Sequence, residues 1–395
     1  MPAHSTLRVP YRWLLRALLL VSLTSCGGVD SGGTGGSAAY GPVNGLGSII
    51  VNGVRFDEST ASITDEDGLP VARERLRLGV MTTVEGSAIL SSANERLATA
   101  YRVRISSELV GPIDAIDASA HTIEVLRQTV HITPATVFED SLPAGLTDLR
   151  TGMIVEVFAR LDSAMGTYAA TRIEVRPGTA SYVLRGRIDS VDAAARTFRV
   201  GSLAIDFSQV KPADALNIVA GSTVRAHLET NLAGGAARAL SVSSGQRSIA
   251  DGDEASIEGR ISAYESPLLF SIDGVRVDAT GASFPDGKDV IALGARVSVE
   301  GSTRAGVVSA SVVRFEGEEN SSNSQFEVHG TIDSVDTVGK VLSLRGISVD
   351  FSGSVEFVPP GTIDGLRVGA TIKVKGVLQS DGVGLVAQRI EFKGN

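Results

Sequence analysis

Three short sequence blocks return in the same order along this chain, and a chain built this way must fold as a series of small like units rather than around one large core. The first block is Gly-x-Ile-Asp: GPIDAID from Gly111, GRIDSVD from Gly186, GRISAYE from Gly259 and GTIDSVD from Gly330, about 71 to 75 residues apart. The second is an apolar turn, a glycine and an alternating run: LRLGVMTTVEG ending at Gly86, LRTGMIVEVFA at Ala159, IVAGSTVRAHL at Leu228, IALGARVSVEG at Gly301 and LRVGATIKVKG at Gly376. The third is Ala-x-x-Val/Ile, at Ala100, Ala170, Ala239, Ala310 and Ala387. Copy one has GPVNGLGSIIVNG from Gly41 in place of the full first block and is read as shortened at its front.

Within a copy the apolar period is two. In Thr371–Lys375, Ile372 and Val374 point one way and the lysines the other, as on a half-buried strand; Phe198 and Val200 alternate likewise. Outside the N-terminus no apolar stripe has helical length. One helical turn per copy is expected before the second-block glycine, with Asp148 or Asp364 as N-cap and Gly152 or Gly369 as stop. Three strands, a turn and two strands predict an all-β fold of five tandem OB-like barrels. Closure matters for units of about 70 residues without a disulfide, which bury marginal cores. The expected boundaries are repeat 1 at 41–107, repeat 2 at 108–177, repeat 3 at 178–246, a linker at 247–255, repeat 4 at 256–316, a linker at 317–325 and repeat 5 at 326–395. The two polar, acidic linkers suggest that copies four and five are more loosely strung than copies one to three.

These blocks, with Val51-Asn52-Gly53-Val54-Arg55-Phe56-Asp57, resemble the bacterial domain-of-unknown-function family numbered 5666, over about Gly41 to Lys393. The matching positions are structural glycines and apolar residues. The resemblance implies an exported, often lipid-anchored protein with tandem copies, and it brings no catalytic residues.

The N-terminus agrees with export. Arg8, Arg12 and Arg16 precede the apolar stretch Ala17–Leu23, too short for the roughly 20 residues a membrane span needs, so residues 1–25 read as a signal peptide. Leu23-Thr24-Ser25-Cys26 resembles the lipobox of bacterial lipoproteins, which would make Cys26 the lipidated first residue of the processed chain. It is the only cysteine, so it has no disulfide partner within the chain, and lipidation would remove a reactive thiol. Several acyl chains hold a protein on a membrane far better than one. Residues 26–40, rich in Gly and Ser, read as a tether. Gly27 in place of Asp after Cys26 resembles the outer-membrane signal of Gram-negative lipoproteins, so the expected location is the cell envelope, at the outer membrane facing the periplasm or exterior if the source is Gram-negative. Processing removes three Arg and no acid, leaving 33 basic against 45 acidic residues, a net charge of about −12. An acidic body with few aromatics, mostly Phe in inward phase (Phe198, Phe270, Phe315, Phe392), argues against nucleic-acid binding.

Chemistry-bearing residues are dispersed. His121, His131, His227 and His329 fall at non-equivalent places; a simple hairpin at Arg127-Gln128 would set His131 opposite Glu124. An Asp closes the third-strand pattern in four copies, Asp57, Asp206, Asp278 and Asp350, with Thr133 in copy two, and Asp114/Asp117, Asp189/Asp192 and Asp333/Asp336 pair at the first loop. Such carboxylates could form calcium rims, but an Asp at a strand exit more commonly accepts backbone N–H groups in an Asx turn. Nucleophile elbows, dinucleotide fingerprints and twelve-residue calcium loops are absent from the sequence. The expectation is therefore a non-enzymatic, lipid-anchored envelope protein without a cofactor, a binding or spacer module for an envelope protein or polysaccharide. The alternatives are a small-ligand or calcium receptor and, less favoured, an envelope hydrolase.

Overall fold

The computed structural model describes residue 1 and residues 36–393, apart from 93–94, 163–164, 212–217, 233–235, 248, 317–324 and 359–361. Residues 2–25 of the signal peptide, Cys26 and the tether up to residue 35, like the greater part of the linker 317–325, lie outside the described residues, whereas residues 36–40, expected to end the tether, already belong to the first strand of copy one.

Period-two alternation becomes strands throughout. In copy two they are Leu109–Asp117, Thr122–Val125, Gln128–Phe138, Ile154–Asp162 and Thr167–Val175. The first pairs antiparallel with the second and the fourth, the second with the third, and the fifth runs parallel to the third and antiparallel to the fourth. The circuit 1-2-3-5-4-1 closes a five-stranded OB-type barrel and consumes its own edges. Copies one, four and five repeat that circuit. So does copy three, whose first strand is interrupted between Arg187 and Ser190.

The sequence blocks are the joints of this barrel. The second-block glycines Gly79, Gly152, Gly221, Gly294 and Gly369 all have φ between 80° and 87°, a left-handed conformation that costs glycine nothing. Their N–H groups donate to Val43, Ile113, Ile188, Ile261 and Ile332 respectively at 2.7–3.0 Å, and each of those five residues donates back to the residue after the glycine at 2.8–2.9 Å. First and second blocks thus lock strands one and four together. Val43 stands where the other copies have Ile, so Gly41-Pro42-Val43-Asn44 is copy one's own first block. Its shortening falls on the next connection, where only Gly47 and Ser48 separate the first two strands. The third-block alanines face the residue after a register shift in strand four that occurs in all five copies. At Gly301 and Gly376 a Cβ would run into the carbonyls of Ser309 and Val386.

Several expectations are corrected. The helical turns are single 3-10 turns, Gly145–Asp148 and Ile363–Gly365; Asp148 ends its turn and accepts the Ala144 N–H at 2.6 Å, and Asp364 lies inside its turn, so neither is an N-cap. The N-cap positions fall earlier, on Ala144 and Thr362, and neither makes a side-chain capping bond. In copy two the hairpin turns on Leu126 and Arg127, both at positive φ, which pairs Gln128 with Val125 and sets His131 opposite Thr122 and Glu124 opposite Thr129. Phe198 and Phe270 are buried as expected, but Phe315 ends its strand 40% exposed.

Nor are copies four and five loosely strung: Gly35–Asn395 is one compact unit. The first strand of copy one, Gly36–Leu46, pairs in parallel with the first strands of copy four (Ser37–Tyr40 with Glu254–Ile257) and copy five (Gly45–Leu46 with Glu327–Val328). Copies two and three join through Leu109–Val110 and Val183–Leu184. The apolar interior forms two clusters, one of copies one, four and five joined by Val137 and Phe158 of copy two, the other of copies two and three. Segment 247–255 is not a solvated linker: the Arg247 side chain is only 5% exposed, Ile249 is buried and Gly252 begins a strand. Charge made it look exposed, yet the charge of Arg247 is satisfied inside.

Candidate functional site

The recurrent aspartates are the leading candidates, and each of the four at a strand exit is occupied by its own backbone. Asp57, Asp206, Asp278 and Asp350 accept N–H bonds from Ser59, Ser208, Thr280 and Ser352 at 2.7–2.9 Å. These Asx turns hold the carboxyls below their ordinary range, through hydrogen bonds that favour the ionised form. In copy two Thr133 does the same with its hydroxyl, accepting from Ala135 N–H at 3.2 Å. At the first loops, Asp117, Asp192 and Asp336 each accept two backbone N–H bonds, and Asp114 and Asp189 accept from Arg127 and Gly201 at 2.6 Å. The four strand-exit aspartates sit in four different barrels. Among the described residues no three His, Cys, Asp or Glu converge as metal ligands. His227 lies against Ser181 and Asp67, whereas burial lowers the pKa of half-buried His329; the four histidines do not meet.

What the structure brings together instead is a buried ionic seam between the two groups of barrels. Glu108, at the joint of copies one and two, is fully buried; it pairs with Arg247 and lies 3.5 Å from Arg185 Nε. Arg185 also pairs with Glu66, from the turn after Thr64, and Arg225 Nε lies 3.4 Å from Glu66 Oε2. The Arg247 guanidinium covers the Tyr40 ring at 4.8 Å. Farther along, Arg160 of copy two bonds Glu258 of copy four at 2.9 Å, and Arg75 of copy one bonds Glu156 and Glu174 of copy two at 2.8 and 2.5 Å.

Burial alone would raise the Glu66 carboxyl, but Arg185, Arg247 and Arg225 together hold it below its ordinary range. Glu258 is likewise lowered by Arg160 and Arg296 against the pull of burial. Asp273 behaves differently. It lies in the turn between strands two and three of copy four, 5% exposed, and neither carboxylate oxygen has a hydrogen-bond partner. Burial pushes its pKa up to about 7, partly opposed by Arg247, Arg160 and Arg185 and reinforced by Glu108. Its counterpart in copy one, Asn52, donates to the Tyr40 and Ser256 carbonyls at 2.8 and 3.1 Å.

Buried ion pairs contribute little net stability compared with apolar packing, but losing one partner is costly, so such a seam fixes which surfaces may meet. Several of its residues occupy equivalent positions, Tyr40, Arg185 and Glu258 directly before the first-block glycine and Glu156 and Arg225 four residues after the second-block glycine, but the residue type changes from copy to copy, which is why block comparison passes over them. The one available signal was the alternation of both charge signs on strands four and five of copy two, at Glu156, Arg160, Arg172 and Glu174, whose outward phase implied solvent.

Three segments, 110–174, 258–314 and 329–391, match the family model described as Domain of unknown function (DUF5666); they coincide with the barrels of copies two, four and five. Copies one and three share the strand circuit outside the matched segments. No curated protein matches this chain.

Proposed function

This chain carries tandem copies of the DUF5666 domain, and from that premise we propose a non-enzymatic, lipid-anchored envelope protein whose five barrels form a compact binding head. The observation that carries the reading is the N-terminal sequence, in which a basic and then apolar leader ends at Leu23-Thr24-Ser25-Cys26 and is followed by GGVDSGGTGGS. A lipidated Cys26 would hold the head at a membrane, and the glycine-rich stretch would give it a reach on the order of 20 Å. No helix among the described residues is long and apolar enough to cross a membrane. The net negative charge disfavours anionic lipid surfaces and phosphate backbones, so an envelope protein or polysaccharide is the partner class that fits.

The absence of an enzymatic role is part of the same reading. Its support is the dispersal of histidines and carboxylates over different barrels and their engagement in turns and ion pairs. Fractionation of cells expressing Cys26→Ser tests the anchor. Release of the protein into the soluble envelope fraction is expected, and retention on membranes would contradict it. Capture of envelope components by the soluble variant would identify the partner.

A further inference from the structure

A cavity of about 1050 Å³ lies where copies two and five meet. It is built from the stretch after the Asx turn of strand three in copy two and the connection between strands four and five in copy five. Strand three ends at the Asx turn after four residues in the other copies, though in copies one and five a second segment, Ser62–Thr64 or Glu356–Val358, then resumes the parallel pairing with strand five. In copy two it runs on to Phe138, with a register break between Ile132 and Val137 that turns Thr133-Pro134 out of the sheet. The connection between strands four and five is two residues long in copy four, Ala305–Gly306, but six in copy five, Gln379–Gly384. This longer loop crosses onto copy two, where the Gly382 carbonyl accepts the Phe138 N–H at 2.9 Å. The contact is close on both sides: Gly145 (φ 58°) and Gly382 (φ 76°) are left-handed, and a Cβ on either would meet the backbone carbonyl of Asp381 or Thr136. Backbone contacts therefore set the walls, and the cavity is preformed.

The lining defines a chemistry. Ile132, Pro134, Phe138, Leu146 and Leu378 supply an apolar body, and Thr133, Thr147, Gln379, Ser380 and Gln388 supply hydroxyl and amide ends. Among the described residues no lysine or arginine lines it; the one imidazole is that of His121, and the single carboxylate, Asp381, accepts the Val383 N–H of its own loop at 2.9 Å. A charged ligand would lose hydration and meet no fixed cation, only the single imidazole of His121 or an Asp381 carboxylate already engaged by its own loop. Size, mixed lining and position between two barrels match small-molecule sites in general. We propose that this cavity binds an uncharged amphiphile of drug-like size, with an apolar body and hydroxyl or amide substituents. The inference goes beyond the anchored-head reading and does not depend on Cys26.

The test is fluorescence titration of the processed chain, residues 26–395 with Cys26→Ser, using the neutral probe N-phenyl-1-naphthylamine. One saturable site per chain is expected, weakened at least tenfold by Thr147→Phe or Ser380→Phe and unchanged by Val368→Phe, an exposed site outside the cavity. The anionic analogue 1-anilinonaphthalene-8-sulfonate should bind at least tenfold more weakly. Thermal unfolding of each variant confirms that it is folded. Lack of saturable binding, or equal affinity in the cavity-filling variants, would overturn the site; equal affinity for the anionic probe would overturn the ligand class.

Discussion

Replacing Asp273 with asparagine should stabilise the assembly, and more so at pH 8 than at pH 5. The wild-type carboxyl is buried without a hydrogen bond, and its pKa stands at about 7 instead of 3.8. At 1.36 kcal/mol per pH unit that difference is worth roughly 4 kcal/mol. Below 3.8 folded and unfolded chains both carry the proton, and the carboxyl adds no pH-linked penalty. As pH rises from there the unfolded chain releases the proton first, so stability is lost up to about 7, and above that the full penalty stands. An asparagine side chain does not titrate. Relative to wild type, Asp273→Asn should therefore gain about 3 kcal/mol between pH 5 and pH 8. The backbone suits the change, because Asp273 has φ 47° and precedes Gly274, a turn that asparagine enters readily and that Asn52-Gly53 already makes in copy one. The assay is thermal or urea unfolding of both proteins at the two pH values. A stability difference that is the same at both, or a variant less stable at pH 8, would refute the reasoning.

Arg185→Ala should cost about 3 kcal/mol, because it takes one arginine from each of the buried Glu66 and Glu108 and leaves Glu66 to Arg225 and Glu108 to Arg247, whereas Arg304→Ala, which breaks an exposed pair with Asp253, should cost at most about 1 kcal/mol; denaturant midpoints compare the two. Gly152→Ala should cost about 1 kcal/mol, since a Cβ there meets only open space and the penalty is the left-handed backbone, but Gly301→Ala should cost roughly 1–3 kcal/mol through collision with the Ser309 carbonyl. Millimolar calcium should leave the melting temperature unchanged, because the strand-exit aspartates already accept backbone N–H bonds; a rise that Asp206→Asn with Asp350→Asn abolishes would favour the calcium-receptor reading instead.

The barrel could be read in the sequence because its constraints are local and repeated. A left-handed glycine such as Gly152 and its bond to Ile113 recur at a fixed place in each copy, so both residues surface as motifs. The packing between copies could not be read this way. Parallel pairing of Ser37–Tyr40 with Glu254–Ile257 depends on strand faces that look like any other half-buried strand. The seam uses Glu66, Glu108, Arg185 and Arg247 once each, and a charge in a short polar stretch reads as solvated until its partner is seen. The His131 register failed for a narrower reason: Leu126-Arg127 adopts a turn usually marked by Asn-Gly or Asp-Gly, and nothing in those two residue types announces it.

Condensation of the five barrels into one body is the central structural claim, and small-angle X-ray scattering of the processed Cys26→Ser chain tests it most directly. A compact unit of this length predicts a radius of gyration of roughly 21 Å, somewhat more with the tether. A value above about 30 Å, as for barrels strung end to end, would contradict it.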